Sequence, residues 1–296
     1  MSKVRIGINP LTWSNDDMPS LGGDTPLEVC LEESRQAGYA GVELGNKFPR
    51  QAELLKPILA QYQRQLISGW YSSRLLERSA EEEIAALQDH LQLLKACGCE
   101  VMVYAEVSGC IHGEMDTPLS KRPQLRPEQW QAFGQRMTQV GDYLQSQGVR
   151  LAYHHHMGTV VETEEEVELL MAHTGPSVGL LVDTGHITWA GGNPLNLIRR
   201  YPERVCHVHC KDVRPQVLAH AKNIDLPFLR AVLEGVYTVP GDGCIDYDAV
   251  MQALKAIDYQ GWLVVEAEQD PAVAHPLTYA RMGYQHLAAA VAKAGL

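Results

Sequence analysis

The chain has 296 residues, 45% apolar and 21% charged, an ordinary globular composition long enough for one large barrel or two domains. Its net charge of -11 opposes a nucleic-acid backbone or an anionic membrane surface as partner. Seven cysteines without CxxC spacing, no leader-like opening and no apolar run near the ~20 residues that span a bilayer set the expectation of a reduced, cytoplasmic protein.

Residues 4–9 (VRIGIN) read as a strand stopped by Pro10. Thr25 as N-cap and Pro26 at the first helical position open a helix that runs to Gly38. Gly41–Leu44 (GVEL) is a second strand, and residues 51–62 follow as a helix that Pro57 should kink or shorten. Residues 65–70 (QLISGW) form a third strand. Residues 79–96 then read as one long helix, with Ile84, Leu87, Leu91 and Leu94 on its apolar face. Cys97 and Cys99 flank the glycine that ends it; a thiolate site is conceivable there, but cysteine as a small buried hydrophobe is commoner. Residues 100–105 (EVMVYA) make a fourth strand. The stretch 106–126 is the longest apparent loop, a candidate lid or substrate loop, and 127–147 reads as a helix stopped by Gly148.

The second half repeats the grammar. Strand 149–154 leads to helix 163–173, whose acidic start (Glu164, Glu165, Glu166) suits a helix N-terminus. Strand Val178–Asp183, helix 194–201 and strand Val205–Cys210 follow. Helical segments around 226–233 and 247–257 flank a turn-rich stretch (239–246), and strand 262–266 leads to a last helix from about 271 to 293. Eight strand–helix units with short connections predict one closed (β/α)8 TIM barrel in a single domain, 1–296. An open doubly wound sheet would carry a glycine-rich phosphate loop after its first strand; here that place holds NPLTW.

In such a barrel the C-terminal ends of the strands share one face. Four runs end there in His, Asp or Glu: VRLAYHHH, VGLLVDTGH, RVCHVHCKD and GWLVVEAE. His154, Asp183, His209 and Glu266 are therefore expected to converge on a divalent first-row metal such as Mn²⁺, Co²⁺, Fe²⁺ or Zn²⁺. Taken singly, Asp183 could cap a helix and Glu266 could pair with a cation; four equivalent positions together favour a site. With no thiolate in the set, structural zinc is not expected.

These residues, together with GINPLTWSNDDMP, AGYAGVELGNKFPR, YHHHMGTVVET and HVHCKDV, resemble the inosose dehydratases of myo-inositol catabolism over nearly the whole chain. That family lies among the xylose-isomerase-like, endonuclease-IV-like barrels. The resemblance implies a cytoplasmic hydro-lyase that removes water from 2-keto-myo-inositol (scyllo-inosose), giving a trihydroxycyclohexane-dione, with Mn²⁺ or Co²⁺ bound. Related barrels hold their metal with Glu, Asp, His and Glu. The last three fall on Asp183, His209 and Glu266. The first departs from the pattern: either His154 is a ligand or another group replaces it, Glu162 being nearest.

Elimination next to a ketone needs a base and an acid. His156, on the same strand face as His154, is the candidate base, and His186, three past Asp183, the acid or second base. Either could instead orient a metal ligand. His155 should face outward. Lys211, at strand spacing from His209, points at the developing oxyanion or pairs with Asp212 or Glu43. Glu43 ends the second strand and faces the same cavity or bridges the mouth. Trp13 and Trp70 are expected to wall the pocket, and Glu106 and His112 in the long loop to bind substrate hydroxyls. The partner implied is a small cyclic keto-polyol, with neither nucleic acid nor membrane; a homo-oligomer is left open. A metal-dependent keto-sugar isomerase or epimerase is the competing reading, since enolisation serves both reactions. A nucleic-acid repair hydrolase would want a basic face, which the charge opposes, and a non-catalytic sugar-binding protein would show no turnover.

Overall fold

Alternating apolar strands and half-apolar helices resolve, in the computed structural model, into a closed ring of eight parallel strands with helices outside it. The structure describes residues 4–296. The strands are β1 Val4–Ile8, β2 Gly41–Leu44, β3 Gln65–Ser73, β4 Val101–Glu106, β5 Arg150–His154, β6 Val178–Asp183, β7 Val205–Cys210 and β8 Gly261–Val265. Each pairs with its sequence neighbour, and β1 against β8 closes the cylinder, with Val4 opposite Gly261 and Ile8 opposite Val265.

Side chains alternate between barrel interior and helix layer. Val101, Val103, Ala152 and Leu181 pack together in one interior cluster, and Ile67, Trp262 and Val264 in another. The continuation of that alternation carries His154, Asp183, His209 and Glu266 to the C-terminal rim. The register sets His154 beside Leu181 and Asp183 beside His209.

The helices are α1 Leu27–Ala37, α2 Ala52–Gln61, α3 Ala80–Ala86, α4 Gln88–Ala96, α5 Gln129–Ser146, α6 Glu164–His173, α7 Thr184–Trp189, α8 Pro194–Arg200, α9 Pro215–Asn223, α10 Phe228–Leu233, α11 Tyr247–Ala256 and α12 Pro276–Ala294. The acidic start of α6 is a capping box: the Thr163 hydroxyl accepts the Glu166 N–H while the Glu166 carboxylate accepts the Thr163 N–H. Among the described residues no helix is long and apolar enough to cross a membrane.

Several expectations are corrected. The N-cap of α1 is Pro26, not Thr25. The expected helix 79–96 is divided at Leu87, whose ψ of -2° breaks the helical path and sets Leu87 fully inside the core. β3 runs three residues past Trp70. The last helix starts at Pro276, so residues 266–275 form a loop over the barrel rim. Three elements had no sequence signal strong enough to be read: α7 directly after β6, α9, and a two-stranded antiparallel ribbon pairing Asp212–Val213 with Tyr237–Thr238.

Candidate metal centre

Helix α7 begins at the last residue of β6, and this decides the geometry of Asp183. Its Oδ1 accepts the N–H groups of Gly185 and His186, each at 2.8 Å, capping the helix. Its Oδ2 is buried without a hydrogen-bond partner. Capping and ligation are therefore compatible uses of the two oxygens. His154 Nε2 and His209 Nδ1 each lie 3.6 Å from that Oδ2, and Glu266 Oε2 lies 3.0 Å from His209 Nδ1. One atom from each of the four residues falls within 4.8 Å of the others, and all four residues are buried.

The donor set fits a divalent cation. His154 Nδ1 is 2.6 Å from the His155 carbonyl, so it carries the ring hydrogen and leaves the Nε2 lone pair facing Asp183. On the other side of His209, Nε2 stands 3.2 Å from both oxygens of Glu43. Two carboxylates and two imidazoles with converging atoms, Asp183 Oδ2 and His209 Nδ1 among them buried without a hydrogen-bond partner, are what a borderline cation takes. Burial, then the neighbouring His209 and His156, pull the His154 pKa well below its ordinary value. His209 also resists charging through burial, but Glu266 and Glu43 outweigh that and hold its pKa well above 6.5 in the metal-free arrangement. Glu162 lies outside the cluster. It accepts the Gly158 N–H at 2.7 Å and pairs with Arg122 at 3.2 Å, and the fourth member of the cluster is His154.

A second group surrounds this one. His156 Nδ1 lies 2.8 Å from the Met157 carbonyl, which places the hydrogen on Nδ1 and leaves Nε2 as acceptor. Burial, then the neighbouring His112 and Lys211 charges, push its pKa well below 6.5. His186 is likewise held neutral, by burial and by His156 and Lys211. Lys211 Nζ is buried between Glu266 Oε1 and Glu268 Oε1, 2.6 Å from each, and 3.1 Å from His186 Nε2. Its expected partners Asp212 and Glu43 are not the ones it pairs with; Asp212 instead accepts backbone N–H groups of Val213, Gly241 and Ile245. Burial opposes the Lys211 charge, and Glu266 and Glu268 more than restore it. Glu268 is pushed up to about 7 by burial, against the pull of Lys211.

Trp70 lies edge-on to His154 and His156, at 5.3 and 5.5 Å between ring centres, and borders the cavity with His156, His209 and Glu266. His112 packs against the cavity residue His156 from the long loop, 4.9 Å between ring centres, and lies 3.6 Å from Asp17 Oδ1. Gly158 permits this approach: a Cβ there would come 3.0 Å from the His112 backbone nitrogen, and its φ is +78°. Against the effect of burial, Cys110 and then Asp17 raise the His112 pKa to about 9.

Two expected residues lie elsewhere. Trp13 is buried in the core, its indole N–H donating to Glu33 on α1 at 2.6 Å, because the turn after β1 folds outward over that helix. Glu106 has the wrong strand parity. Val103 faces the interior, so Glu106 faces the helix layer, where it accepts the N–H groups of Leu75 at 2.6 Å and Ser108 at 2.8 Å. His155 is on the outer side as expected, accepting the Asp183 N–H on Nε2 at 3.2 Å.

The sequence reading passed over Glu268, His207 and Tyr237. The first two carry the same two-residue alternation that picked out His156: Glu266-x-Glu268 and His207-x-His209. His207 Nε2 lies 2.8 Å from Glu43 Oε1, and Tyr237 OH lies 2.9 Å from His186 Nδ1. Tyr237 comes from the short ribbon, which no local pattern announces.

The model of the xylose isomerase-like TIM barrel family matches residues 31–290. The chain is 53% identical to a rhizopine catabolism protein, MocC, of Rhizobium meliloti, over 100% of this chain and 91% of that one. It is 42% identical to an inosose dehydratase of Geobacillus thermodenitrificans, over 97% of each. Among solved structures, the IolI protein with a bound zinc atom superposes with a TM-score of 0.63 over 98% of this chain and 97% of that one, at 19% identity, a likeness of fold.

Proposed function

We propose, from the premise that this chain belongs to the inosose dehydratases of the xylose isomerase-like TIM barrel family, that it removes water from 2-keto-myo-inositol to give a trihydroxycyclohexane-1,2-dione. The observation that carries this reading is the convergence of His154, Asp183, His209 and Glu266 on one point at the barrel rim. These four would hold the divalent ion, Mn²⁺ or Co²⁺. When bound, the ion supplies a Lewis acid for the ketone and an adjacent hydroxyl, lowering the cost of negative charge as the neighbouring C–H is deprotonated.

The chain's own groups supply the proton transfers. His156 takes the C–H proton on Nε2, the nitrogen that the Met157 carbonyl leaves free. The departing hydroxyl takes a proton as its C–O bond breaks, and water leaves. His186, expected as that acid, is held neutral and has no spare proton to give. Glu268 suits the task better. Its Oε1 accepts from Lys211, its Oε2 is buried without a partner, it borders the same cavity as His156 and Glu266, and its pKa of about 7 keeps a proton available. Lys211 holds Glu266 and Glu268 in place and balances their charge. His186 buttresses Lys211 from behind, with Tyr237 against its far nitrogen. Glu43 holds His207 and His209. Trp70 walls the pocket and His112 reaches a substrate hydroxyl.

The same reading makes the protein a single-domain, cytoplasmic enzyme whose partner is a small cyclic keto-polyol rather than nucleic acid or membrane; a homo-oligomer would leave the rim chemistry unchanged. Incubation of the Mn²⁺- or Co²⁺-loaded protein with scyllo-inosose should produce an ultraviolet-absorbing dione, and a chelator should stop it. Turnover indifferent to chelation would sink the mechanism. Accumulation of an epimeric ketone in place of the dione would make the protein an epimerase.

A further inference from the structure

The Glu266 carboxylate faces two ways. Oε2 belongs to the four-residue cluster, 3.0 Å from His209 Nδ1, while Oε1 lies 2.6 Å from Lys211 Nζ, which also stands 4.0 Å from Asp183 Oδ2. On the Lys211 side His156, His186 and Glu268 bring a second set of ligand atoms within 4.8 Å of one another, all buried. Two ligand sets sharing one carboxylate are the framework of a two-metal site. Here the middle of the second set is already filled: Lys211 Nζ lies 2.6 Å from Glu268 Oε1 and 3.1 Å from His186 Nε2.

The ammonium is held there by the surrounding structure. The Tyr237 ring covers it at 4.5 Å from the ring centre. Gly185 leaves room for its stem, since a Cβ at that position would come 2.6 Å from Lys211 Cγ. A divalent ion entering the second set would meet this fixed positive charge at contact distance in a buried site, where like charges repel most strongly. Without the ammonium, Glu266 and Glu268 would face each other uncompensated, and a cation would be drawn in to replace it.

We propose that Lys211 is a built-in monovalent cation that occupies a second metal position, limiting the protein to one divalent ion per chain. Its removal opens a second divalent site made by His156, His186, Glu268 and Oε1 of Glu266. The inference rests on the four-residue cluster being the first metal site.

The test counts ions rather than turnover. Wild-type protein is equilibrated with excess Mn²⁺, freed of unbound ion, and assayed for metal per chain and for magnetic coupling between Mn²⁺ ions by electron paramagnetic resonance. Wild type should hold about one uncoupled ion, and Lys211→Ala about two that are exchange-coupled through Glu266. Should Lys211→Ala not fold, Lys211→Gln, which keeps most of the side-chain volume without the charge, is expected to take up the second ion instead. A folded variant that stays at one ion overturns the proposal, as does a wild type that binds a coupled pair. A wild type that binds no ion refutes the first site, and with it the proposed function.

Discussion

Glu43 and His209 meet with both carboxylate oxygens 3.2 Å from Nε2, on the opposite edge of the ring from Glu266. Burial opposes charge on Glu43, but His209 and His207 outweigh it and hold the carboxylate ionised. An ionised carboxylate at Nε2 keeps the hydrogen on that nitrogen and turns the Nδ1 lone pair toward Asp183 and Glu266. Glu43→Gln should therefore weaken metal affinity about 10- to 100-fold, the usual cost of losing such a partner. At saturating metal, kcat should stay near wild type. A large loss of kcat with metal affinity intact would place Glu43 on the substrate instead.

Metal binding should release a proton. The metal-free His209 is held protonated above pH 6.5, because Glu266 and Glu43 overcome the effect of burial, whereas a ligand nitrogen must be unprotonated. Affinity should then tighten about tenfold per pH unit until the raised pKa is passed. Calorimetric titration of the apoprotein with Mn²⁺ in two buffers of different ionisation heat reads the released proton directly. Identical heats in both buffers would mean that His209 is already neutral.

The rate should hold a broad plateau on the acidic side of neutrality. His156 must be unprotonated to act as base. Its pKa is pushed well below 6.5 by burial and by His112 and Lys211, so the acid limb falls on the acidic side of that value. Glu268 must carry a proton to act as acid, and its pKa is pushed up to about 7, so kcat should fall as pH rises past 7. Glu268→Gln should lower kcat about 10²- to 10⁴-fold, leave metal content unchanged and abolish the alkaline limb. Persistence of that limb in the variant would assign it to another group.

The barrel was legible because buried parallel strands are short, apolar and separated by amphipathic helices, a pattern that survives without tertiary information. The four converging side chains were legible for a related reason: each sits one or two positions past an apolar run, where the closed barrel brings all strand ends to one rim. What stayed hidden depended on contacts distant in sequence. Glu268 follows Glu266 at strand spacing, but the residues after it were read as the approach to a helix rather than as a loop returning over the mouth. Tyr237 reaches His186 through a ribbon of two-residue strands, too short for any periodicity. Glu106 is hidden for the opposite reason: the sequence pattern suggests a loop where the residue ends a strand, and its parity turns it outward.

The two tryptophans separate packing from binding. Trp13 and Trp70 were both expected to wall the pocket, yet only Trp70 touches its histidines, while Trp13 is 1% exposed and tied to Glu33. Trp13→Ala removes a buried indole and strands the Glu33 carboxylate, so it should cost about 3 to 5 kcal/mol of stability. Its KM for the keto-polyol should stay near wild type at temperatures where the variant remains folded. Trp70→Ala takes away a partly exposed ring that leans on His154 and His156, so its stability cost should be smaller and its effect should fall on KM. Urea midpoints and KM values for the two variants give the comparison. A raised KM in stable, folded Trp13→Ala would return that residue to the pocket and mean that the turn after β1 moves over the mouth when substrate binds.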